Sequence, residues 1–350
     1  MSGHDLTEDL CARVGHAFNA RQPLRITAGN SKSFYGRKVE GDDISVAGHT
    51  GIIEYRASEL VLTARSGTRL SEIEDALAEN RQMLAFAPPL HGPYSTLGGS
   101  IATGLSGPRR PFAGAARDFV LGTTIINGKG ERLKFGGQVM KNVAGYDASR
   151  LMVGAQGTLG LLLDVSVKVL PRPESEITLC FEMDFEPAHD KLRQWILQGH
   201  PFSASCYSGN QLYIRLSSTI NATRSAHASI GGELQSNNLW TSLRHQTHEF
   251  FRQHQNLWRV SVPPSAETIA SGQAQLTEWN GALHWIASDT ELFTKAREAG
   301  GHATQYRLFG EISDNPFQPL SSTMLALHQR LKKSFDPENI LNPGRLYPGL

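Results

Sequence analysis

Cysteine is scarce in this chain of 350 residues: only Cys11, Cys180 and Cys206 occur, odd in number and far apart. A disulfide framework is not expected. No C-x-x-C pair offers the ligand spacing of a zinc site or an iron–sulfur cluster. The three thiols read as small buried hydrophobes. Any electrons handled here must then be carried by an organic cofactor or by a partner's metal centre. An excess of one charge is also missing: 34 Lys and Arg face 33 Asp and Glu, for a formal net charge of +1. That leaves no electrostatic footprint for nucleic acid or an anionic membrane. No apolar run approaches the roughly 18–20 residues that span a bilayer, so no direct membrane insertion is expected. The start, Met1-Ser2-Gly3-His4-Asp5-Leu6, has neither a basic nor an apolar leader segment. The expectation is a cytoplasmic protein, with any contact at the inner face of the membrane made through partners.

What is present is an ordinary globular composition, 39% hydrophobic and 19% charged, over a length sufficient for two or three domains. The spacing of Leu6, Leu10, Val14 and Ala17 predicts a helix over 5–20, with Asp5 as its cap. Strands are predicted at 24–27, 44–46, 52–55, 60–65 and 83–87, and a helix at 68–80 capped by Thr68. Strands at 120–126 and 131–135 are expected to form a hairpin about Asn127-Gly128-Lys129-Gly130. The alternation of Leu163, Val165, Val167 and Val169 with Asp164, Ser166 and Lys168 predicts a strand over 161–170. Pro171-Arg172-Pro173 marks a domain boundary. Beyond it, strands are expected at 177–183, 212–217, 258–262 and 283–287, and helices at 191–197, 240–254 and 324–334.

Glycine is concentrated between His91 and Gly160, where 15 of the chain's 34 glycines fall in one fifth of its length. Three small-residue segments stand out. The strand at 24–27 empties into Ala28-Gly29-Asn30-Ser31-Lys32-Ser33-Phe34-Tyr35-Gly36, which suits an anion held by successive N–H groups but is also compatible with a plain turn. The second segment, Thr96-Leu97-Gly98-Gly99-Ser100-Ile101-Ala102-Thr103-Gly104-Leu105-Ser106-Gly107, reads as a helix start. Free N–H groups at Gly98 and Gly99 could meet phosphate oxygens there. The third is Gly154-Ala155-Gln156-Gly157-Thr158-Leu159-Gly160. Three such segments argue for a large ligand touched by backbone at several places. Rossmann and P-loop fingerprints both fail on spacing around 122–133.

These segments, together with Lys141-Asn142-Val143-Ala144-Gly145-Tyr146-Asp147 and the terminal Phe335-Asp336-Pro337…Asn342-Pro343-Gly344-Arg345, resemble the vanillyl-alcohol-oxidase-type (PCMH-type) FAD-binding flavoproteins. Within them the resemblance is to the FAD-binding E subunits of bacterial glycolate oxidases. It covers residues 1–172 almost continuously and returns at the tail. It implies an α+β fold: a PCMH-type FAD-binding domain of two α+β subdomains over 1–172, a smaller α+β cap over 173–318, and a C-terminal segment, 319–350, returning to the flavin. It also implies a cofactor contact set. Gly29, Asn30, Ser31, Lys32 and Ser33 belong to it around the pyrophosphate, as do Thr96, Gly98 and Gly99, and Gly36 is a further member. Ala102, Gly104 and Ser106 would lie near the flavin and ribityl chain, with Asn142, Tyr146, Gly157 and Leu159 along the cofactor. Asn342 and Arg345 would fold back toward the isoalloxazine. Covalent attachment in this family uses a His in the first loop or a Cys in the second segment; neither is present, so noncovalent FAD is expected.

The related catalytic subunits carry a histidine-rich C-terminal pattern that supplies a base and carboxylate or metal contacts. This chain lacks it; the nearest string, Gly310-Glu311-Ile312-Ser313, has no histidine. No catalytic residue is therefore assigned. His245 and His248 read as one polar helix face rather than a metal site, His91 as a loop residue, and Arg109, Arg110 and Arg117 as an anion contact, a subunit contact or plain surface. The expectation is an FAD-dependent subunit of a glycolate (2-hydroxy acid) dehydrogenase, working with a second FAD-binding catalytic subunit and an iron–sulfur subunit. The alternative is a structural partner that scaffolds the catalytic subunit.

Overall fold

The structure is a computed structural model, and it describes residues 3–137, 147–266, 273–309 and 313–350. Among these residues two antiparallel sheets dominate. The first has the strand order Ile52–Arg56, Val61–Arg65, Leu161–Lys168, Val120–Ile126, Arg132–Gly136. Its central strand is covered on both faces. Leu161 and Leu163 pack with Leu10 and Val14 of the helix Thr7–Ala20, while Leu162, Val165 and Val167 meet Leu70, Ile73, Leu77 and Ile101 on the other side. The predicted alternation therefore does not mark a wet face. Ser166 is buried and exchanges a 2.8 Å hydroxyl hydrogen bond with Thr63.

The second sheet runs Glu233–Gln235, Ser175–Glu182, Gln211–Ser218, Phe202–Ser208, Gln275–Glu278, Leu283–Ala287, Leu257–Ser261, His302–Arg307. Trp240, Phe251, Trp279, Trp285 and Tyr306 form the core on one side of it, and Tyr35 of the first glycine-rich loop joins that core. Leu24–Thr27 pairs in parallel with Asp42–Ser45, and the tail adds a bridge from Leu24 to Leu341. No helix among the described residues is long and apolar enough to cross a membrane.

Several expectations shift locally. The helix Leu70–Glu79 takes no side-chain cap, because Thr68 turns its hydroxyl to Gly51, accepting from N and donating to O. The strand expected at 83–87 is reduced to Gln82–Met83. The helix expected at 240–254 is two, Asn238–His245 and Glu249–Gln253, broken where Gln246 turns left-handed at φ 55°. His245 and His248 therefore do not share a helix face. Asp5 does serve the first helix: its Oδ1 accepts from Thr7 N at 2.9 Å.

Candidate functional site

A cavity of about 420 Å³ opens where the three glycine-rich segments converge. Its first wall is the loop after Leu24–Thr27, with Gly29, Asn30, Ser31, Lys32 and Ser33. Asn30 takes φ 52°, and among the described residues the N–H groups of Asn30, Ser31 and Lys32 donate to no protein acceptor. Such a run of free, neighbouring donors is an anion cradle. Lys32 is buried, lines the cavity, and has no carboxylate within ion-pair distance among the described residues. Burial holds its ammonium down to about 8. An uncompensated buried cation is costly, and an anion at this wall relieves that cost.

The second wall is the helix Leu97–Thr103, with Thr96, Gly98, Gly99, Ala102 and Thr103 on the cavity. Its glycines act differently from the sequence expectation. Gly98 N donates to Ser66 O at 2.8 Å, and Gly99 N donates to the capping Thr96 Oγ1 at 3.1 Å. Neither N–H is free for phosphate. What Gly98 and Gly29 require is closeness. A Cβ at Gly98 would sit 2.5 Å from Ser66 Cβ, and one at Gly29 would sit 1.6 Å from the Tyr94 carbonyl oxygen. The first loop thus lies directly on the turn leading to the second segment, tied by a 3.0 Å contact between the Ser31 and Ser95 hydroxyls. The fully buried Ser66 hydroxyl, also on the cavity, has no hydrogen-bond partner among the described residues.

The third wall is Gln156 and Gly157, held to the helix by Gln156 N to Ala102 O at 2.9 Å. The tail closes the ring. Asn342 Oδ1 accepts from Ile26 N at 2.7 Å, and its Nδ2 donates to Gln156 O at 2.6 Å. Arg345 donates from Nε to Gln156 Oε1 (2.9 Å), from Nη1 to Arg37 O (2.6 Å), and from Nη2 to Tyr35 O (2.7 Å). Both tail residues line the cavity, but as staples between the first and third walls. Gly36 and Gly157 make room for them: a Cβ at Gly36 would meet Arg345 Nε at 2.8 Å, and one at Gly157 would meet Asn342 Nδ2 at 2.7 Å. The tail is itself anchored by the buried Lys332, which donates to Asp336 Oδ2, Thr158 O and Leu341 O at 2.7–2.8 Å.

Four expected contact residues lie behind the walls. Gly36 sits under Arg345; Gly104 ends the helix at φ 65° against Gly154; Leu159 is in the core; Ser106 Oγ accepts from Ala116 N at 2.9 Å. Asn142 and Tyr146 lie outside the described residues, as do Gly310, Glu311 and Ile312. Ser66, Gln156 and Lys332 were not singled out from sequence. Gln156 carried the one available signal, a bulky residue between glycines, and it takes φ 49°.

The donors, the unpaired Lys32 and the glycine-made close approaches fit the pyrophosphate and flavin of FAD. Comparison with known proteins agrees. Residues 5–136 match the FAD binding domain family, and residues 318–346 the C-terminal domain of FAD linked oxidases. The chain is 45% identical over 349 residues to glycolate oxidase subunit GlcE of Escherichia coli (strain K12), covering 99% of each. It is 34% identical over 128 residues to glycolate oxidase subunit GlcD of Bacillus subtilis (strain 168), 37% of this chain and 27% of that one. Alkyldihydroxyacetonephosphate synthase has the same fold, at TM-score 0.69 and 15% identity, over 96% of this chain and 75% of that one. The chain is a member of the FAD-linked oxidase family of oxidoreductases, in the group that contains glycolate oxidase subunit GlcE, and FAD is its cofactor.

Proposed function

We propose that this chain is the FAD-binding subunit of a multi-subunit glycolate oxidase, in which it passes electrons rather than oxidising glycolate itself. Its partners in this reading are a second FAD-bearing catalytic subunit and an iron–sulfur subunit. Identity with GlcE across the whole chain supports the assembly, and the FAD cavity supports a bound flavin. Residues 1–172 hold the cofactor, 173–318 form the cap, and 319–350 fasten the cofactor loops.

The observation that favours electron transfer is the packing beyond the first loop. Oxidising a 2-hydroxy acid needs room over the flavin for the substrate, a base for its hydroxyl proton and a cation for its carboxylate. Here Phe34 and Tyr35 run straight from the cofactor loop into the cap's aromatic core. Phe34 meets Tyr306 at 5.4 Å between ring centroids, and Tyr35 meets it at 5.3 Å. His91 closes the cluster, with its ring 5.4 Å from Phe34 and Nε2 3.1 Å from the Tyr306 hydroxyl. Burial, with Lys32 adding repulsion, holds its imidazole down to about 4. Aromatic rings thus occupy the ground between loop and cap sheet. Bound FAD supplies a two-electron acceptor, and this chain's residues seat it and shield it from water.

The test uses the purified chain, alone and with its partner subunits. Its visible flavin spectrum is followed while glycolate is added without oxygen. Bleaching confined to the complex is the expected result. Bleaching of the isolated chain would assign substrate oxidation here, and a colourless chain would remove the flavin-bearing role.

A further inference from the structure

A second cavity, of about 380 Å³, lies away from the FAD cavity, between the helix Leu70–Glu79, the Pro108–Arg109 turn, Arg172 and the cap sheet. Four guanidinium groups line it, from Arg109, Arg172, Arg215 and Arg244, against two carboxylates, Glu74 and Glu176. Arg109 pairs with Glu176, and Arg244 pairs with Glu74 while its Nε donates to Pro88 O at 2.8 Å. Two positive charges are left in excess. Arg172 is exposed and, among the described residues, commits only its Nε, to Gln82 O at 3.0 Å.

Arg215 is the sharper case. It is 8% exposed and lies over the Trp240 ring, 5.1 Å from the centroid. Its Nε donates to Ser203 Oγ at 2.8 Å, yet its buried Nη2 has no hydrogen-bond partner among the described residues. Glu176 reaches only its Nε, at 3.8 Å. Burial, with Arg109 adding repulsion, pulls this guanidinium down to about 9. A buried, half-satisfied arginine is expensive for a fold to keep unless something else completes it. The planar fork of Arg suits carboxylate and phosphate oxygens, and Trp240 restricts its rotation.

We propose that this arginine-lined cavity binds a small organic dianion, with carboxylate or phosphate groups, held by Arg215 and Arg172. The volume is about that of a dozen waters at roughly 30 Å³ each, which suits an acid of a few carbons and is too small for a peptide segment. The site draws walls from the cofactor-binding part and from the cap sheet, so an anion there ties the two together.

The test uses the full chain loaded with FAD, so that the Lys32 wall is occupied. Succinate and inorganic phosphate are titrated separately by calorimetry and by thermal unfolding, with ionic strength held constant by sodium chloride. Saturable binding of at least one dianion is expected, weakened about tenfold or more in Arg172→Gln and in Arg215→Gln, since each loses a charge-assisted hydrogen bond. Arg172 is exposed, so its variant folds and decides the matter if the Arg215 variant does not. A response to succinate alone assigns a carboxylate ligand, and to phosphate alone a phosphate ligand. No binding beyond the chloride control, or binding undiminished in Arg172→Gln, overturns the proposal. Flavin absorbance in each sample reads the FAD assignment independently.

Discussion

Replacing Gly29 by alanine adds one methyl group and tests how the cofactor loops are held. The new Cβ would lie 1.6 Å from the Tyr94 carbonyl oxygen and 2.6 Å from its carbon, whereas real Cβ contacts do not fall under 3.0 Å. Both opposing atoms are backbone, so no side chain can swing aside. The loop must retreat from the Tyr94–Ser95 backbone by more than about 1 Å, which breaks the 3.0 Å Ser31–Ser95 hydroxyl contact. Overpacking of this kind costs about 1–3 kcal/mol, and the lost hydrogen bond about 1 kcal/mol more. Because the displaced atoms are the cavity wall, FAD affinity should fall by roughly ten- to a hundredfold. Gly99→Ala is the internal comparison. Its Cβ would meet only the Thr96 hydroxyl, at 3.2 Å, and alanine favours the helix. Its affinity should stay within about fivefold of the parent. Quenching of flavin fluorescence on titration measures both variants, and urea unfolding checks that each is folded. A loss in Gly99→Ala equal to or greater than that in Gly29→Ala would refute the close-approach reasoning.

Three further outcomes follow from the same geometry. Lys32 is charged in the free chain below about pH 8, so the Kd for FAD should be flat there; above it binding must take up a proton, and Kd should rise by up to about tenfold per pH unit. Lys32→Gln should bind FAD more weakly and lose that pH dependence, read by the same fluorescence titration. Lys332→Met should leave Asp336, which is 1% exposed, as a buried charge without its cation; a loss of about 3–5 kcal/mol is expected in urea unfolding. Asn342→Ala orphans Ile26 N and Gln156 O and forces φ 42° on alanine; about 2–4 kcal/mol of stability should go, together with FAD retention.

How much of this was legible in the sequence depends on what each feature rests on. Strands whose pattern is local were read residue for residue, as at Leu24–Thr27, Val120–Ile126 and Leu283–Ala287. The break at Gln246 was not, because it is fixed from outside the segment: Arg307 Nη2 donates to the carbonyls of Phe251 and His254 at 2.6–2.7 Å and holds the second short helix against the sheet. The small-residue loops around the cavity were visible because glycine and serine are conspicuous. What they do was not, since a collision such as Gly29 with Tyr94 joins positions 65 residues apart in the chain and leaves no periodic trace. Lys332 was hidden for a related reason. On its helix it reads as one more solvated lysine, and only the folded tail brings Asp336, Thr158 O and Leu341 O around its ammonium.

The division of labour between the two sheets explains why the cofactor was easier to read than the role. Every residue lining the FAD cavity among those described falls within 25–162 or at Asn342 and Arg345; the eight-stranded sheet contributes none. That sheet instead closes over Phe34 and Tyr35 with its own aromatic core and presents Arg215 to the second cavity. Holding a flavin depends on backbone approach, which small residues announce. Choosing what the flavin exchanges electrons with depends on what the cap excludes and admits, and that is written in packing. In the proposed electron-transfer reading, filling the ground beyond the cofactor loop with Phe34, His91 and Tyr306 goes with seating a flavin and leaving substrate to another subunit. The opposite arrangement, a cleared space with a free imidazole, would have argued for oxidation here.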